Sequence, residues 1–395
     1  MLTFNFLIMC NFVRTIIPIG QGAFYCEKFC IRNKSLNVVY DCGTLSSKIN
    51  LYTEIDNLFA VGEQIDLLFV SHFDSDHVNG IKYLCEKHKV KKIVLPEITD
   101  NLWYLYTLST YKKDKSIATF ANFIDSHRNM LIEVRPYNNE QDVEGDEFFI
   151  NDFGPTHKIN SGDRLRSDNK SAHNPYFNWG YIPINFSIAK EKLEDLKKAI
   201  LSRTKDKGIN EINDLNNADK VANVTKEINK AFKDAKINLN ESSLVVYSGP
   251  IKLFKGRPYI YYPLRYHYII KGDNMCAYPY FMHCGGRLAC LFTGDALMNK
   301  DRCDSTIRVI KDLKEYIGVL QIPHHGSANN FSAKVFETEF GISLCNICSF
   351  ISYGIKNRFR HPSSKVILDL FQHHNTFLGV TEEKESQFYE IIDID

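Results

Sequence analysis

Short apolar runs and segments of helical spacing alternate along this chain. The runs Ile65–Val70 and Lys91–Pro96 have the length and the β-branched character of buried strands. The segments Ser46–Phe59 and Ile81–His88 carry apolar residues at helical intervals. A later apolar run, Leu288–Phe292, predicts a further strand. Because strands and helices follow one another in this way, the sequence predicts a layered α/β domain.

Two regions depart from this alternation. Residues 158–188 are rich in Asn, Ser, Gly and Pro, so we expect a long loop there. Residues 189–236 place apolar residues at helical spacing among many Lys and Glu residues, which favours a solvated helical insertion over a substrate-gripping arm. We therefore predict one domain over residues 1–395, with a loop and helical insertion at 158–238.

The start of the chain is apolar but short. Residues 1–13 lack the basic beginning and the cleavage site of an export signal, and a membrane span needs about 20 apolar residues. We expect an edge strand there and no membrane association anywhere in the chain. The 11 Cys residues lack the spacing of a secreted disulfide framework, which together with the missing signal predicts a cytoplasmic protein.

Composition sets broad limits on the class of protein. With 395 residues, 44% hydrophobic and 24% charged, the chain should form a soluble globular structure. The formal net charge of +1 gives no overall attraction to nucleic acid. Any anionic substrate would have to meet a local patch of basic residues.

The densest chemistry follows the first of these strands. Four side chains that can bind metals, His72, Asp74, Asp76 and His77, fall within six residues of one loop. A helix-capping turn would explain one acid, but not two histidines and a second acid. A loop leaving a strand can direct these side chains to two sides, so the sequence predicts a site for two adjacent cations.

Two later strands end in the same kinds of residue. Asp295 follows the run Leu288–Phe292, and a carboxylate at that position can bridge two cations. His324 and His325 follow the apolar run 319–322. Adjacent histidines point in different directions, so only one of the two should bind a metal.

Several motifs carry a family resemblance. The loop His72–His77 resembles the HxHxDH signature of the metallo-β-lactamase fold, with Asp74 where the second His usually stands. This HxDxDH variant is similar to the hydrolase domain of ComEC-type DNA-uptake proteins and to phosphorylcholine esterases. Further motifs in the family order are Gly20-Gln21-Gly22, Asp41-Cys42-Gly43, the strand 240–247, Gly294-Asp295, Pro323–Gly326 and the segment 350–362. The resemblance implies an αβ/βα four-layer sandwich of two facing sheets with helices outside.

The resemblance also implies roles for single residues. By the family's Pro-Gly-His-Gly motif, His325 is the better metal ligand, which leaves His324 to meet a phosphate or to protonate a leaving group. His361 would face the cleft. Asp76 belongs with these two histidines in the expected catalytic set. The expected substrate-binding residues are Ser327, Asn357 and Arg358.

Three supporting positions are also expected from the family pattern. Asp41 would hold the metal loop by hydrogen bonding rather than by ligation. Whether His157 or Asn240 completes the first metal site stays open at this point, and His157 is better interpreted as a solvated loop residue. Arg360 stands where the family has Gly, so the backbone there should be unusual.

Charge balance bears on the expected cofactor. Three carboxylates (Asp74, Asp76 and Asp295) and three neutral histidines (His72, His77 and His325) around two divalent ions leave one positive charge, which a bridging hydroxide neutralises. The extra oxygen ligand favours Zn²⁺ or Mn²⁺ rather than Zn²⁺ alone. Two cations also lower the pKa of bound water from 15.7 toward about 7, so that hydroxide forms near neutrality.

We therefore expect a phosphodiesterase or nuclease acting on DNA or RNA. One alternative is a small-molecule phosphodiesterase acting on a phosphorylcholine ester or a cyclic nucleotide. The other is a partner subunit of a nucleic-acid-sensing assembly, in which the metal site is only structural. Substitution of Asp76 separates these, because the enzyme would lose activity but stay folded, whereas the structural protein would melt.

Overall fold

The structure is a computed structural model that describes residues 12–31, 34–97, 115–138, 145–155, 157–166, 179–186, 190–211, 214, 224–234, 243–252, 257–261 and 287–393. Several sequence predictions fall outside these ranges. They concern residues 1–11 and Asn240.

The described strands have the following bounds: β1 Phe12–Ile16, β2 Gly22–Ile31, β3 Lys34–Thr44, β4 Gln64–Phe69, β5 Lys89–Pro96, β6 Leu131–Arg135, β7 Glu147–Phe149, β8 His157–Asn160, β9 Arg164–Arg166, β10 Trp179–Ile184, β11 Val245–Pro250, β12 Arg257–Tyr261, β13 Ala289–Phe292, β14 Ile317–Gln321, β15 Cys348–Ser352, β16 Thr376–Val380 and β17 Phe388–Asp393. The described α-helices are α1 Lys48–Leu58, α2 Ser75–Val78, α3 Ile81–Lys87, α4 Lys115–Ser126, α5 Lys190–Thr204, α6 Thr225–Asp234, α7 Lys300–Ile310, α8 Ala333–Phe340 and α9 Ser364–Gln372.

The strands form two sheets that face each other. The first has the order β12-β17-β1-β2-β3-β4-β5-β6-β8, and the second has the order β16-β15-β14-β13-β11-β10-β9-β7. Alternate side chains of each strand point into the space between the sheets. In β11, Val246 joins the inner core with Phe292 of β13, whereas Val245 and Tyr247 face the opposite way.

Helices cover the outer face of each sheet. Apolar residues of α1, α3 and α4, including Leu51, Ile81 and Phe120, pack on the first sheet. Those of α7, α8 and α9, including Cys303, Phe336 and Leu370, pack on the second. The fold is therefore the four-layer α/β sandwich that the motifs predict.

Parallel strands bring one end of both sheets together. Strands β3, β4 and β5 are parallel neighbours in the first sheet, and β13, β14 and β15 are parallel neighbours in the second. The carboxyl ends of parallel strands lie at one edge, which is where open α/β sheets place their ligands. The motif loops that follow β4, β13, β14 and β15 all start at that edge.

The predicted loop at 158–188 is wrong where the structure describes it. Residues within this range form the end of β8, the whole of β9 and the whole of β10, and β10 pairs with β11 through six residues. All six residues of β10 are buried, and they include a glycine and a proline, which are typical of loops. Of the edge strand predicted at residues 1–13, the structure describes only the last two, which begin β1, and β1 lies between β2 and β17.

The predicted helical insertion is present as α5 and α6. These helices pack on each other through a small apolar cluster that includes Leu196, Ile200 and Ile228. Lys207 also pairs with Glu227 at 2.7 Å. Among the described helices, none has both the length and the apolar character that a membrane crossing requires.

Candidate metal centre

The residues predicted to bind metal meet where the two sheets share an edge. Asp76 and His77 lie on the short helix α2 after β4, whereas Asp295 follows β13 and His325 follows β14. His72 precedes α2 in the same loop. All five side chains are buried or nearly so. A site assembled from three strand ends is therefore closed to bulk water on most sides.

One group of ligand atoms combines His72, His77 and Asp295. The Nε2 atom of His77 lies 3.3 Å from Oδ1 of Asp295, and Nε2 of His72 lies 3.7 Å from Oδ2 of the same carboxylate. The two imidazole rings are 4.1 Å apart between centroids. One ligand atom from each residue falls within 4.8 Å of the others, which suits a shared cation.

A second group combines Asp76, His77 and His325. The Nε2 atom of His325 lies 3.2 Å from Oδ2 of Asp76. The rings of His77 and His325 are 5.8 Å apart. Because His77 belongs to both groups, the two sets of ligand atoms are neighbours rather than separate sites.

Hydrogen bonds orient the histidines of the loop. Asp41 is fully buried, and its Oδ2 lies 2.8 Å from Nδ1 of His77 and 2.7 Å from Oγ of Ser71. A carboxylate accepts both bonds, so His77 carries its proton on Nδ1. Ser71 donates to Asp41 and can therefore accept from Nδ1 of His72 at 3.0 Å. The expected supporting role of Asp41 is confirmed.

His325 is oriented by the next strand. Its Nδ1 lies 2.8 Å from the carbonyl oxygen of Ser352 and must donate to it. When neutral, His77, His325 and His72 therefore turn an unprotonated Nε2 toward the carboxylates, which is the tautomer that metal-ligating histidines use.

The backbone is strained at this edge. Asp41, His324 and His325 have positive φ angles of 54°, 50° and 53°, which side chains other than Gly rarely adopt. Such strain costs of the order of 1–3 kcal/mol for each residue and persists only where the surroundings enforce it. Strain at three residues of one site is typical of functional loops.

Sequence reasoning missed two residues that fix Asp295. Oε1 of Gln321 accepts hydrogen bonds from the backbone N–H groups of Thr293 and Gly294, at 2.9 and 3.1 Å. Asn330 donates from Nδ2 to the carbonyl oxygen of Asp295 at 3.0 Å. The available signal was a polar Gln321 that interrupts an apolar strand.

Asp74 lies at the exposed side of the centre. Its side chain is 37% exposed, and its Oδ2 is 3.7 Å from Nε2 of His72. It precedes α2 but makes no capping hydrogen bond with its side chain. Asp74 belongs to neither of the two groups of ligand atoms found among the described residues.

The two remaining predicted histidines stand beside the centre. His324 is partly exposed, with Nε2 at 3.6 Å from Oδ2 of Asp295. The ring of His361 lies 5.6 Å from that of His324. Nδ1 of His361 is buried and makes no hydrogen bond within the described part of the chain.

The predicted substrate-binding residues differ in their surroundings. Ser327 is buried, and its N–H donates to the carbonyl oxygen of His324. The amide of Asn357 is used within its own loop, since it donates to the carbonyl oxygens of Gly354 and His361 and accepts from the N–H of His361. Arg358 is exposed, with its guanidinium 4.9 Å from the ring centre of Phe359.

His157 lies in strand β8 rather than in a solvated loop. Its ring packs between Phe148 and Phe153, at 5.7 and 4.9 Å between centroids. The aromatic neighbours explain the error, because they cover a side chain that sequence alone would leave in solvent. It belongs to neither group of ligand atoms.

Electrostatics couple the members of the centre. Burial alone would raise the pKa of Asp295, but the imidazoles of His77, His324 and His72 outweigh it and hold the pKa well below the usual range. Burial lowers the pKa of His77, yet the carboxylates of Asp295 and Asp41 raise it well above the usual value. The chain thus partly neutralises its own carboxylates with histidines.

The donor set also fits a divalent cation. The Nε2 atoms of His72 and His77 are buried and make no hydrogen bond to any described residue. Leaving such atoms unmatched is costly, and a cation would satisfy them together with Asp295. The mixture of imidazole and carboxylate donors suits Zn²⁺ and Mn²⁺.

Comparison with known proteins agrees with this geometry. No curated protein matches the chain. Residues 29–162, which include the loop from His72 to His77, match the model of the Metallo-beta-lactamase superfamily. Over residues 29–162 the chain therefore resembles the metallo-β-lactamase superfamily, whose members are generally metal-dependent hydrolases.

Proposed function

We propose that this protein hydrolyses phosphodiester bonds in nucleic acid with the help of two divalent cations, Zn²⁺ or Mn²⁺. The observation that carries the proposal is the pair of adjacent ligand groups that share His77. Two neighbouring cation sites on one carboxylate-rich edge are the arrangement used for displacement at phosphorus. The likeness of the motifs to ComEC-type hydrolase domains points to the same substrate class.

Each ligand residue has a distinct place in this proposal. Nδ1 of His77 is engaged by Asp41, so its Nε2 can serve one cation only. One cation would then be held by His77 together with Asp76 and His325. The other would be held by His72 together with Asp74, and Asp295 lies beside both His72 and His77. When bound, the cations would supply a more acidic water and neutralise charge on the phosphate oxygens.

The neighbouring histidines are placed for proton transfer. His324 is partly exposed and beside Asp295, so a substrate held at the centre would lie within its reach. We assign it the proton that the leaving oxygen takes up. His361 lies next to His324 and would hold or relay that proton.

Hydrolysis of bis-p-nitrophenyl phosphate tests the chemistry, and labelled single- and double-stranded DNA and RNA test the substrate class. Wild type and Asp76→Asn would each be stripped of metal and reloaded with Mn²⁺ or Zn²⁺. Asp312→Asn, an exposed carboxylate remote from the motif loops, is the matched control. We expect metal-dependent cleavage of ester and polymer that is lost only in Asp76→Asn.

Other outcomes have equally definite meanings. Cleavage of the ester without any polymer would favour a small phosphodiester, such as a phosphorylcholine ester or a cyclic nucleotide. Absence of turnover in protein shown to hold two ions would refute the hydrolase proposal. Loss of folding in metal-free Asp76→Asn would instead favour a structural metal in a partner subunit of an assembly.

A further inference from the structure

A cleft of about 660 Å³ opens beside the candidate metal centre. One wall is formed by Gln21 and residues 45–47, and the other by residues 354 and 356–359. Residues that adjoin each wall along the chain contact the centre. Gly22, which follows Gln21, packs so closely on the metal loop that a Cβ atom there would lie 2.9 Å from the carbonyl oxygen of Asp76. On the other wall, Ser352 precedes Gly354 by two residues and accepts the hydrogen bond from Nδ1 of His325. The volume lies within the range of roughly 300–1,000 Å³ that is usual for ligand sites.

The loop at this cleft carries three cations. Lys356 and Arg358 line the cleft, and Arg360 follows them on the same loop. All three are exposed, and none forms an ion pair with a described residue. The carboxylate of Glu382 also lines the cleft, but it accepts a hydrogen bond from the N–H of Ile355. The local charge is therefore positive, although the whole chain is close to neutral.

An aromatic platform lies among these cations. Phe359 is 44% exposed, and Leu45 on the opposite wall is 41% exposed. The ring of Phe359 is within 11° of parallel to that of His361, at 6.1 Å. His361 in turn lies beside His324, so a row of rings leads from the cleft to the centre.

The backbone of Arg360 adds an independent observation. Its φ angle is +59°, a conformation that Gly adopts without strain and that other residues rarely adopt. A long cation at such a position lowers stability relative to Gly. A contact of its side chain with an anionic ligand would account for it.

We propose that this cleft binds the single-stranded nucleic acid that flanks the bond to be cut. A base would stack on Phe359, and backbone phosphates would lie against Lys356, Arg358 and Arg360. A duplex keeps its bases stacked inside, so an exposed ring beside a phosphate-binding loop favours unpaired strands. This inference rests on the proposed phosphodiester hydrolysis, since the cleft leads into that centre.

Binding can be measured without turnover. Fluorescence anisotropy would follow fluorescein-labelled 12-nucleotide single strands of DNA and RNA on the Asp76→Asn protein, over a series of salt concentrations. Adding Phe359→Ala should weaken binding about 5- to 150-fold, the range found for loss of one stacked base. Lys356→Ala and Arg360→Gly should each reduce the slope of log affinity against log salt by about 0.7.

Two controls separate this role from a structural one. Phe371→Ala removes an aromatic ring that is 63% exposed on α9, outside the cleft, and should leave binding unchanged. Arg360→Gly should keep or raise the thermal midpoint, because it relieves a positive φ angle. Weaker binding with an unchanged or higher midpoint cannot come from damage to the fold.

The proposal is overturned if Phe359→Ala and Arg360→Gly bind the single strands as tightly as their parent. The proposal is also overturned if a duplex binds as tightly as the single strands and loses as much affinity in the variants. It is overturned as well if vesicles of zwitterionic lipid displace the bound single strands. Failure of the proposed function is distinguishable, because it is measured separately as ester hydrolysis by the wild type. Loss of binding through Phe359 would support the cleft whatever that measurement gives.

Discussion

Two buried clusters in this molecule stabilise their carboxylates in different ways. Arg14 lies in the core between the sheets and pairs with Glu27 and Glu390, its direct neighbours in the strands on either side. Glu27 also accepts from Ser248 at 2.7 Å, and Ser248 accepts from Trp179. Here each buried carboxylate meets a permanent positive charge from the chain itself.

The candidate metal centre has no such cation among its described residues. Its carboxylates face histidines, whose charge depends on protonation, and the Nε2 atoms of His72 and His77 make no hydrogen bond there. In the Arg14 cluster, the chain itself supplies the positive charge that the buried carboxylates need. At the metal centre, that positive charge must come from a bound cation. Burial of polar groups alone therefore does not mark a ligand site. A ligand site is marked by ligand atoms that converge without a permanent counter-charge from the chain.

The largest expected effect is on the Arg14 cluster. Arg14→Met leaves Glu27 and Glu390 buried without their partner and should lower the free energy of unfolding by about 3–5 kcal/mol. Denaturation by urea would measure the loss, with and without added metal, and the loss should be the same in both. Arg14→Met combined with Glu27→Leu and Glu390→Leu should recover at least half of it. A loss of less than about 1 kcal/mol in the single variant would contradict the comparison.

The next effect depends on metal. In wild type, metal at 100 times its dissociation constant should raise the free energy of unfolding by about 2.7 kcal/mol, because only the folded chain assembles the site. Asp295→Asn should abolish most of that gain and lower kcat/KM for the ester by more than about 100-fold. Urea denaturation with metal and with chelator would test this. A gain that persists in Asp295→Asn would show that Asp295 is not a ligand.

A smaller effect is expected from Asp41, which contacts no substrate or cation. Asp41→Asn removes the charge that holds the proton on Nδ1 of His77 and should weaken metal binding about 10- to 100-fold. Competition with a chromophoric chelator would measure the affinity, and the NMR signal of the Nδ1 proton would report the tautomer. Weaker binding with that signal unmoved would argue for a merely structural role.

The parts of the molecule that could be predicted are those in which sequence neighbours act together. The loop His72–His77 holds four side chains that can bind metals within six residues, so its pattern was visible without a structure. Asp295 and the pair His324–His325 were recognisable because each follows a buried strand, and parallel strands share an edge. The choice of His325 over His324 came from the family resemblance. The layered α/β class followed from the alternation of strands and helices, and the four-layer order followed from the family resemblance.

The parts that could not be predicted depend on contacts between distant segments. Gln321 supports Asp295 only because β14 lies beside β13, and nothing in its local sequence shows that partner. Strand β10 was missed because its glycine and proline are typical of loops, yet β11 pairs with it along its length. His157 appeared exposed for the same reason, since its covering aromatic rings come from folding.

The smallest effect concerns a third kind of buried polar group. His88 is 5% exposed, and neither of its ring nitrogens makes a hydrogen bond among the described residues. It packs against the ring of Phe59. Burial lowers its pKa, and the backbone of Ala60 and the carboxylate of Glu63 offset this only in part. With the same unmatched nitrogens as His72 and His77 but without converging carboxylates, it should hold no metal and simply stay neutral.

This difference has a consequence for stability against pH. An imidazole whose pKa is lowered on folding stabilises the protein above its unfolded pKa of about 6.5, and that contribution falls as the pH drops from there to the folded pKa. His88→Phe should therefore reduce the loss of stability between about pH 7 and pH 5, by at most about 1.4 kcal/mol per pH unit. Urea denaturation in chelator would measure both proteins, so that the metal centre contributes equally. Parallel pH curves would show that His88 finds a partner in solution, and that an unmatched buried imidazole alone cannot be interpreted as neutral.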